Sequence, residues 1–304
     1  MQNWKKIGRI YTPNSRLIWN KTHSMVPTSL YLGGDNYRIY ISGRDHKNRS
    51  LIGYFDIDVT NPNRILEVSE EPILKLGKLG SFDDNGVTPA SIIQYNNKLY
   101  LYYIGWKPRS TTRMSIIAGL AVSQDNGCSF KRQSKAPLLH LTDREPYSIL
   151  TAPWVIRNKD IWQMWYVSGE GWLNPDLPLY NIKYATSRDG INWNRDGLIA
   201  LDFDSENEMA LARPCVIYED GIYKMWFSYK TKFQTYRMGY AESKTGYDFK
   251  RKTELLKGLE PSSKGWDSEM IEYPCVFTHK NKKYMLYNGN NYGSNGVGIA
   301  IMKV

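Results

Sequence analysis

The stretch APWVIRNKDIWQMWYVSG, residues 152–169, decides the fold because the chain contains four further stretches of the same pattern. Each has a proline at its second position, then a short apolar run, a polar turn and a run rich in Tyr and Trp. The others are VPTSLYLGGDNYRIYISG (26–43), TPASIIQYNNKLYLYYIG (88–105), RPCVIYEDGIYKMWFSYK (213–230) and YPCVFTHKNKKYMLYNGN (273–290). Their prolines are 62, 64, 61 and 60 residues apart, so the chain repeats a unit of about sixty residues.

Each unit is predicted to begin as a β-hairpin. The turns GGDN, YNNK, RNKD, YEDG and HKNK supply the Gly, Asn and Asp residues that tight turns with positive φ require. The run after each turn alternates in character, as in Trp162, Met164 and Tyr166, and a period of two indicates a strand. A third apolar run follows in every unit, and a short aromatic run, such as INWNR at 191–195, closes units two to four.

These units predict an all-β fold, a five-bladed β-propeller with four-stranded antiparallel blades. The last unit has only three strands before Val304, and the N-terminal run Lys6–Tyr11 can supply its outer strand and close the ring. We therefore expect one propeller domain over residues 1–304, with blades beginning near residues 24, 86, 150, 211 and 271. An aromatic content of 13% also favours β-structure.

Charge and composition bound the partners and the compartment. The net charge of +10 favours an anionic ligand, whereas the even spread of Lys and Arg argues against nucleic acid. No apolar run reaches the roughly 18 residues of a membrane span, so no transmembrane segment is expected, and the N-terminus lacks the apolar region of a secretory signal. Three cysteines suit a reducing compartment, so the sequence predicts a cytoplasmic protein.

The functional site is predicted where the innermost strands begin, because these strands surround the central channel of a propeller and converge on one face. Residues that follow the second strands are candidates too. The candidates are His23, Asp83, Asp84, Glu208, Arg213, Glu269 and Glu272 before the prolines, and Arg44, Asp45, Trp106, Trp172 and Tyr292 after the second strands. Asp83 and Asp84 cannot both face the channel if extended, since strand neighbours point to opposite sides.

In its repeat architecture the chain resembles the five-bladed propeller glycosidases, which include arabinanases and β-xylosidases, invertases and levansucrases, and mannoside phosphorylases. The resemblance extends from about Ser24 onward, but its local motifs are short. Thr151-Ala152-Pro153-Trp154 is similar to the Trp-Ala-Pro-Asp of arabinanase-like members, without its Asp. Glu272-Tyr273-Pro274 looks like the Glu-Gly-Pro that carries their acid. Their Asp-Pro base is replaced by Val26-Pro27, so the base is absent from its expected place.

Glycoside cleavage usually needs two carboxyl groups, a protonated acid and an ionised base or nucleophile. The resemblance implies that Glu272 is the acid, with its pKa raised by burial or by Glu269 or Asp84 and opposed by Arg213. The candidates for the second carboxylate are Asp84, or its neighbour Asp83, and Glu208. The predicted substrate-binding residues are His23, Arg44, Asp45, Asp83, Arg213, Glu269, Trp106, Trp172 and Tyr292. Each also has a structural alternative, as an ion pair, a solvated loop residue or a packing residue.

The sequence thus predicts a carbohydrate-active enzyme of the propeller glycosidase type, which cleaves or transfers a glycosyl unit of a small intracellular sugar. The positive charge favours a phosphorylated or nucleotide-linked sugar as its ligand. The alternative is a non-catalytic propeller that binds glycans or proteins, which the missing Asp-Pro base favours. No cofactor and no metal are predicted: some relatives hold a divalent cation in the channel, but no ligand set here requires one. The sequence leaves the oligomeric state open.

Overall fold

The computed structural model describes residues 1–303 and consists almost entirely of β-strands and the turns between them. The elements in chain order are β1 (Gln2–Tyr11), β2 (Thr22–Gly33), β3 (Asn36–Arg44), β4 (Ser50–Asp58), β5 (Ile65–Val68), β6 (Gly86–Tyr95), β7 (Lys98–Pro108), β8 (Met114–Ser123), β9 (Lys131–Arg132), β10 (Ile149–Asn158), β11 (Ile161–Asn174), β12 (Leu177–Ser187), β13 (Ile199–Leu201), β14 (Glu208–Glu219), β15 (Ile222–Thr231), β16 (Arg237–Ser243), β17 (Lys250–Arg251), β18 (Leu256–Lys257), β19 (Glu272–His279), β20 (Lys282–Asn288), the single turn α1 (Asn290–Gly293) and β21 (Val297–Lys303).

The strands form the five predicted blades. Blades one to four are β2–β5, β6–β9, β10–β13 and β14–β17, each with antiparallel neighbours. Blade five contains β19, β20 and β21, and β1 pairs antiparallel with β21 at its outer edge, with Trp4 opposite Met302. The all-β five-bladed architecture is therefore as predicted. Within residues 1–303 no helix is long and apolar enough to span a membrane.

Aromatic side chains of the second strands fill the space between neighbouring blades. Trp165 of β11 packs with Met225 and Phe227 of β15 in one buried cluster, which joins blades three and four. Trp226, on the other face of β15, packs with Trp4 and Tyr287 and joins blades four and five. The period of two in the sequence produces this arrangement, because alternate residues of one strand point to opposite neighbouring blades.

The innermost strands are bulged where their proline occurs. In four blades the residue before the proline has positive φ: Val26 (52°), Ala152 (47°), Arg213 (50°) and Tyr273 (58°). In each of these strands the register with the second strand shifts across this pair of residues. Positive φ costs a residue with a side chain about 1–3 kcal/mol, and such strain concentrates at functional sites. All four residues line one central cavity.

Candidate functional site

The central cavity has a volume of about 430 Å³ and lies where the inner strands begin and the second strands end. Its wall includes the four bulged residues and side chains from the ends of β3, β7 and β15. The hairpin β11–β12, which is the longest in the chain, adds Asp176 and Pro178 from its tip. A cavity of this size accommodates a small molecule and encloses most of its surface.

Glu272, the first residue of β19, is fully buried beside this cavity. Neither of its carboxyl oxygens has a hydrogen-bond partner among residues 1–303. Burial raises the pKa of Glu272 well above its usual range, and Tyr273 and the positive charge of Lys230 oppose this shift only in part. Burial therefore favours the protonated form of Glu272, which is the form that the predicted general acid needs.

Four tyrosines and one lysine surround the Glu272 carboxyl. The negative charge of Glu272 contributes to the raised pKa values of Tyr180, Tyr236, Tyr273 and Tyr292, after the larger effect of burial. Tyr180 and Tyr236 hydrogen-bond each other through their hydroxyl groups. Because these residues and Lys230 all line the cavity, Glu272 lies directly behind its wall.

Arg213 crosses the channel at the base of the cavity. Its Nη2 donates to the backbone oxygen of Pro27 (3.0 Å) and to Oγ1 of Thr28 (2.9 Å), both on blade one, although Arg213 belongs to blade four. Its guanidinium lies 5.1 Å from the ring centre of Trp154 on blade three. Nε and Nη1 have no acceptor within the described residues, and burial lowers the pKa of Arg213. A buried cation with free donors is a candidate site for an anion.

Three further cations face the cavity without a carboxylate partner. Arg44 hydrogen-bonds the amide of Asn48 (3.1 Å), and neither it nor Arg113 nor Lys230 forms an ion pair in residues 1–303. Burial lowers the pKa of Arg44 and of Lys230, and the positive charge of Arg113 lowers both further. The cavity is therefore cationic, and Asp176, an exposed residue, is the one carboxylate of the described chain in its lining.

The structure places Asp83 and Glu208 outside the cavity, contrary to the prediction that they face the ligand. Asp83 accepts hydrogen bonds from Tyr103 (2.9 Å) and Arg132 (2.7 Å), and Glu208 forms a two-point ion pair with Arg251. Blades three and five contain equivalent pairs, Glu145–Arg195 (2.5 Å) and Asp267–Lys6 (2.9 Å). Each of these blade ion pairs joins an acid at or before the start of the inner strand to a base near the outer strand, so these carboxylates are engaged within their own blades.

The remaining candidate carboxylates also lie away from the ligand space. Asp84 does not line the cavity but accepts from the backbone of Gly80 (2.7 Å) and approaches Lys107 (3.4 Å). Asp45 closes the turn after β3: although its burial opposes them, hydrogen bonds from Arg49 and from backbone amides lower its pKa. Glu269 is exposed, and its backbone rather than its carboxylate makes the contacts.

The other predicted binding residues divide into two groups. Trp106, whose Nε1 donates to Thr88 (3.1 Å), and Tyr292 line the cavity and are placed to stack on a ligand. His23 and Trp172 do not line it. Burial and then the charge of Arg44 lower the pKa of His23 to about 4, so this histidine is neutral near pH 7. Trp172 packs against a buried cluster that includes Ile104 and Ile116.

Comparison with known proteins places the chain in a family. No protein-family model matches it. "Uncharacterized protein MT1551" of Mycobacterium tuberculosis strain CDC 1551 / Oshkosh is 39% identical over 302 residues, which cover 99% of both chains. "Uncharacterized protein Rv1502" of M. tuberculosis strain ATCC 25618 / H37Rv has the same identity and coverage. The chain belongs to this family.

Solved structures with a similar fold include glycoside hydrolases. One described as "Glycoside hydrolase" has a TM-score of 0.76 at 17% identity, with 99% of this chain and 92% of the other covered. A thermostable family-43 glycoside hydrolase has a TM-score of 0.67 at 17% identity, covering 96% and 92%. The Bombyx mori GH32 beta-fructofuranosidase has a TM-score of 0.63 at 15% identity, covering 95% and 62%. The predicted resemblance to propeller glycosidases is confirmed as a likeness of fold.

Several lining residues of this family member escaped the sequence prediction. Lys107 and Lys230 lie at the ends of second strands, and Arg113 immediately precedes the third strand β8. Antiparallel pairing brings these ends to the same face as the inner-strand starts, so the same rule that selected Arg44 could have found them. Tyr180 and Asp176 reach the cavity because the β11–β12 hairpin is long, and the repeat pattern of the sequence does not predict that length.

Proposed function

We propose that this protein is an enzyme of the propeller glycosidase type, which cleaves or transfers a glycosyl unit of a small anionic sugar with Glu272 as the general acid. The observation that carries the proposal is the buried, unpartnered Glu272 carboxyl, which burial keeps protonated behind a cavity of ligand size. Perturbed carboxyl groups beside a cavity are a mark of catalytic sites. The fold is one that known glycoside hydrolases share.

In the proposed reaction the bond between the anomeric carbon and the glycosidic oxygen breaks while Glu272 gives its proton to that oxygen. Water or an acceptor hydroxyl forms the new bond to the anomeric carbon and loses a proton. Asp176, the carboxylate in the cavity lining, is the candidate to receive it. Trp106 and Tyr292 offer aromatic faces to the sugar ring.

The substrate is expected to be anionic because Arg44, Arg113, Arg213 and Lys230 face the same space without carboxylate partners among residues 1–303. Cys128, Cys215 and Cys275 are free thiols, which suits the reducing compartment predicted from the sequence and hence a small intracellular sugar.

The test compares Glu272→Gln with Glu269→Gln in a screen of p-nitrophenyl and alkyl glycosides. Glu269 is exposed and lies three residues away, so its variant controls for the loss of one carboxyl in the same loop. Loss of the acid should lower turnover by about 10²–10⁴-fold. The loss should be greatest for alkyl glycosides, since p-nitrophenolate leaves without protonation. Full turnover of Glu272→Gln on alkyl glycosides would exclude the acid role.

The second candidate is a propeller that binds a sugar without cleaving it. The observation in its favour is that the cavity lining contains a single carboxylate within the described residues, and this one is exposed. The same screen separates the two: binding detected by thermal shift, with no product formed by the unmodified protein, would favour the binding protein.

A further inference from the structure

The central cavity contains more positive charge than its own residues neutralise. Arg44, Arg113, Arg213 and Lys230 contribute four positive charges, and Asp176 contributes one negative charge. Lys107 also lines the cavity, but Asp84 and the backbone oxygen of Gly80 already hold its ammonium group. Like charges in a partly buried space repel one another, and a bound anion would offset this repulsion.

The cations act on one another across the cavity. Arg44, Arg113 and Lys230 all line the cavity although they come from blades one, two and four, and the charge of Arg113 lowers the pKa of the other two. Arg213 lies deeper, with Nε and Nη1 free of acceptors within residues 1–303 and the side chain only 1% exposed. Two free donor groups on a guanidinium at this depth are an independent sign that the cavity takes an anion.

The cations and the acid come from different blades. Arg44 ends β3 of blade one, Arg113 immediately precedes β8 of blade two, and Lys230 lies near the end of β15 in blade four. Glu272 begins β19 of blade five, directly before the lining residue Tyr273. The cationic lining and the acid are therefore supplied by separate parts of the ring.

We propose that Arg44 and Arg113, assisted by Lys230, form a subsite for a phosphate group that the sugar substrate carries on a carbon other than the anomeric one. This inference rests on the proposed function, since it uses Glu272 as the acid. A phosphate dianion matches the charge excess of the lining better than a carboxylate, which carries a single charge. Guanidinium groups are well suited to bind phosphate oxygens.

The chemistry of the acid excludes the leaving group as the position of this phosphate. A phosphate or nucleoside diphosphate leaves the anomeric carbon as a stable anion and needs no proton from an acid, whereas a sugar alkoxide needs one. A buried, protonated Glu272 is therefore of use only if the leaving oxygen belongs to a hydroxyl-type group. An anion bound by Arg44 and Arg113 is therefore carried on another carbon of the sugar, where it orients the ring.

The first experiment measures binding of inorganic phosphate by calorimetry. The unmodified protein should bind it, and Arg44→Ala and Arg113→Ala should each weaken binding about tenfold or more. Arg188→Ala, an exposed arginine in the turn after β12, should leave the affinity unchanged. Affinity should also fall as ionic strength rises. Absence of binding, or equal binding by Arg44→Ala, Arg113→Ala and the unmodified protein, would overturn the subsite.

The second experiment identifies where the phosphate is carried. Hexose 6-phosphates, hexose 1-phosphates, uronates and the unmodified hexoses are compared for thermal shift. At least one hexose 6-phosphate should stabilise the protein more than its 1-phosphate, its uronate and the free hexose, and Arg113→Ala should abolish the difference. A uronate or a 1-phosphate that stabilises most would overturn the proposal. So would an acceleration of turnover by inorganic phosphate, because phosphate would then be the acceptor.

The two proposals fail in different ways. If phosphate binds through Arg44 and Arg113 but Glu272→Gln keeps full turnover, the subsite stands and the acid role does not. If Glu272→Gln loses turnover but phosphate does not bind, the acid role stands and the subsite does not.

Discussion

At the scale of single residues, Glu272 and Arg213 are both buried on inner strands but do not form an ion pair with each other. The sequence led us to expect that Arg213 would oppose a raised pKa of Glu272. In the structure the Glu272 carboxyl responds to burial first, and then to Tyr273 and Lys230, while Arg213 is held by Pro27 and Thr28 across the channel. Burial therefore decides the protonation of Glu272, and neither Asp84 nor Glu269 is needed to explain it.

The protonated state of Glu272 predicts a pH dependence of stability. Its pKa is higher in the folded than in the unfolded chain, so the folded state binds more protons once the pH exceeds the unfolded value of about 4.3. The stabilisation due to the neutral carboxyl is complete below that pH and is lost as the pH rises towards the raised folded value. Glu272→Gln cannot ionise, so its melting temperature should rise relative to that of the unmodified protein as the pH increases from 5 to 8.

Differential scanning calorimetry of the two proteins across this pH range measures the effect. Glu269→Gln is the control, since that exposed side chain should give a constant difference. A melting-temperature difference for Glu272→Gln that stays flat, or shrinks with rising pH, would show that Glu272 is ionised in the fold.

At the scale of elements, the sequence predicts the strands but not the backbone conformation of the residues that precede their prolines. Alternation in β7, β11 and β15 and the Gly and Asn of the turns specify hairpins from local sequence alone. A residue before proline, however, is expected to be extended. Val26, Ala152, Arg213 and Tyr273 instead have positive φ, which the fold imposes through hydrogen bonds such as that from the Val26 amide to Asn288 (2.8 Å). Such long-range contacts leave no trace in the local pattern.

The blade ion pairs also belong to this scale, and they explain why Asp83 and Glu208 were mistaken for site residues. Both precede an inner strand, as a channel residue would. The signal that separates them is the base at the end of each outer run, Arg132, Arg195 and Arg251, which repeats with the acids. A charge that recurs in four of the five blades is a feature of the repeat, whereas Glu272, Arg44 and Arg113 have no counterparts in the other blades.

Glu208→Gln tests this structural role. Glu208 is 6% exposed and paired with Arg251, and removal of one partner of a buried pair costs about 3–5 kcal/mol of unfolding free energy. Asp248→Asn breaks an exposed pair with Lys250 nearby and should cost less than about 1 kcal/mol. Chemical denaturation measures both, and binding of inorganic phosphate to folded Glu208→Gln should be unchanged. If Glu208→Gln had normal stability but no longer bound phosphate, Glu208 would belong to the ligand site after all.

At the scale of the whole molecule, the five-bladed ring follows from the repeat, because each unit can bury its aromatic faces only against its neighbours. The site does not follow from the repeat. The proposed acid comes from blade five, the lining cations from blades one, two and four, and the lining residue Asp176 from the long hairpin of blade three. The repeat predicts the face on which the inner strands begin, but each side chain that distinguishes the candidate site is an exception to the repeat.

Closure of the ring yields the last prediction. Strand β1 is far in sequence from its partner β21, yet its Trp4 is buried between blades four and five, edge-on to Trp226 at 6.5 Å. Replacement of a buried Trp by Ala costs about 3–5 kcal/mol. Ile7 in the same strand is 43% exposed, so Ile7→Ala should cost no more than about 1 kcal/mol, the span of strand propensities. Chemical denaturation measures the stability of both variants. Trp4→Ala removes packing between blades, whereas Ile7→Ala changes only an exposed side chain of the edge strand. If β1 holds the ring together through Trp4, Trp4→Ala should unfold at a much lower denaturant concentration than Ile7→Ala. Equal midpoints for the two variants would mean that blades four and five hold together without the Trp4 side chain.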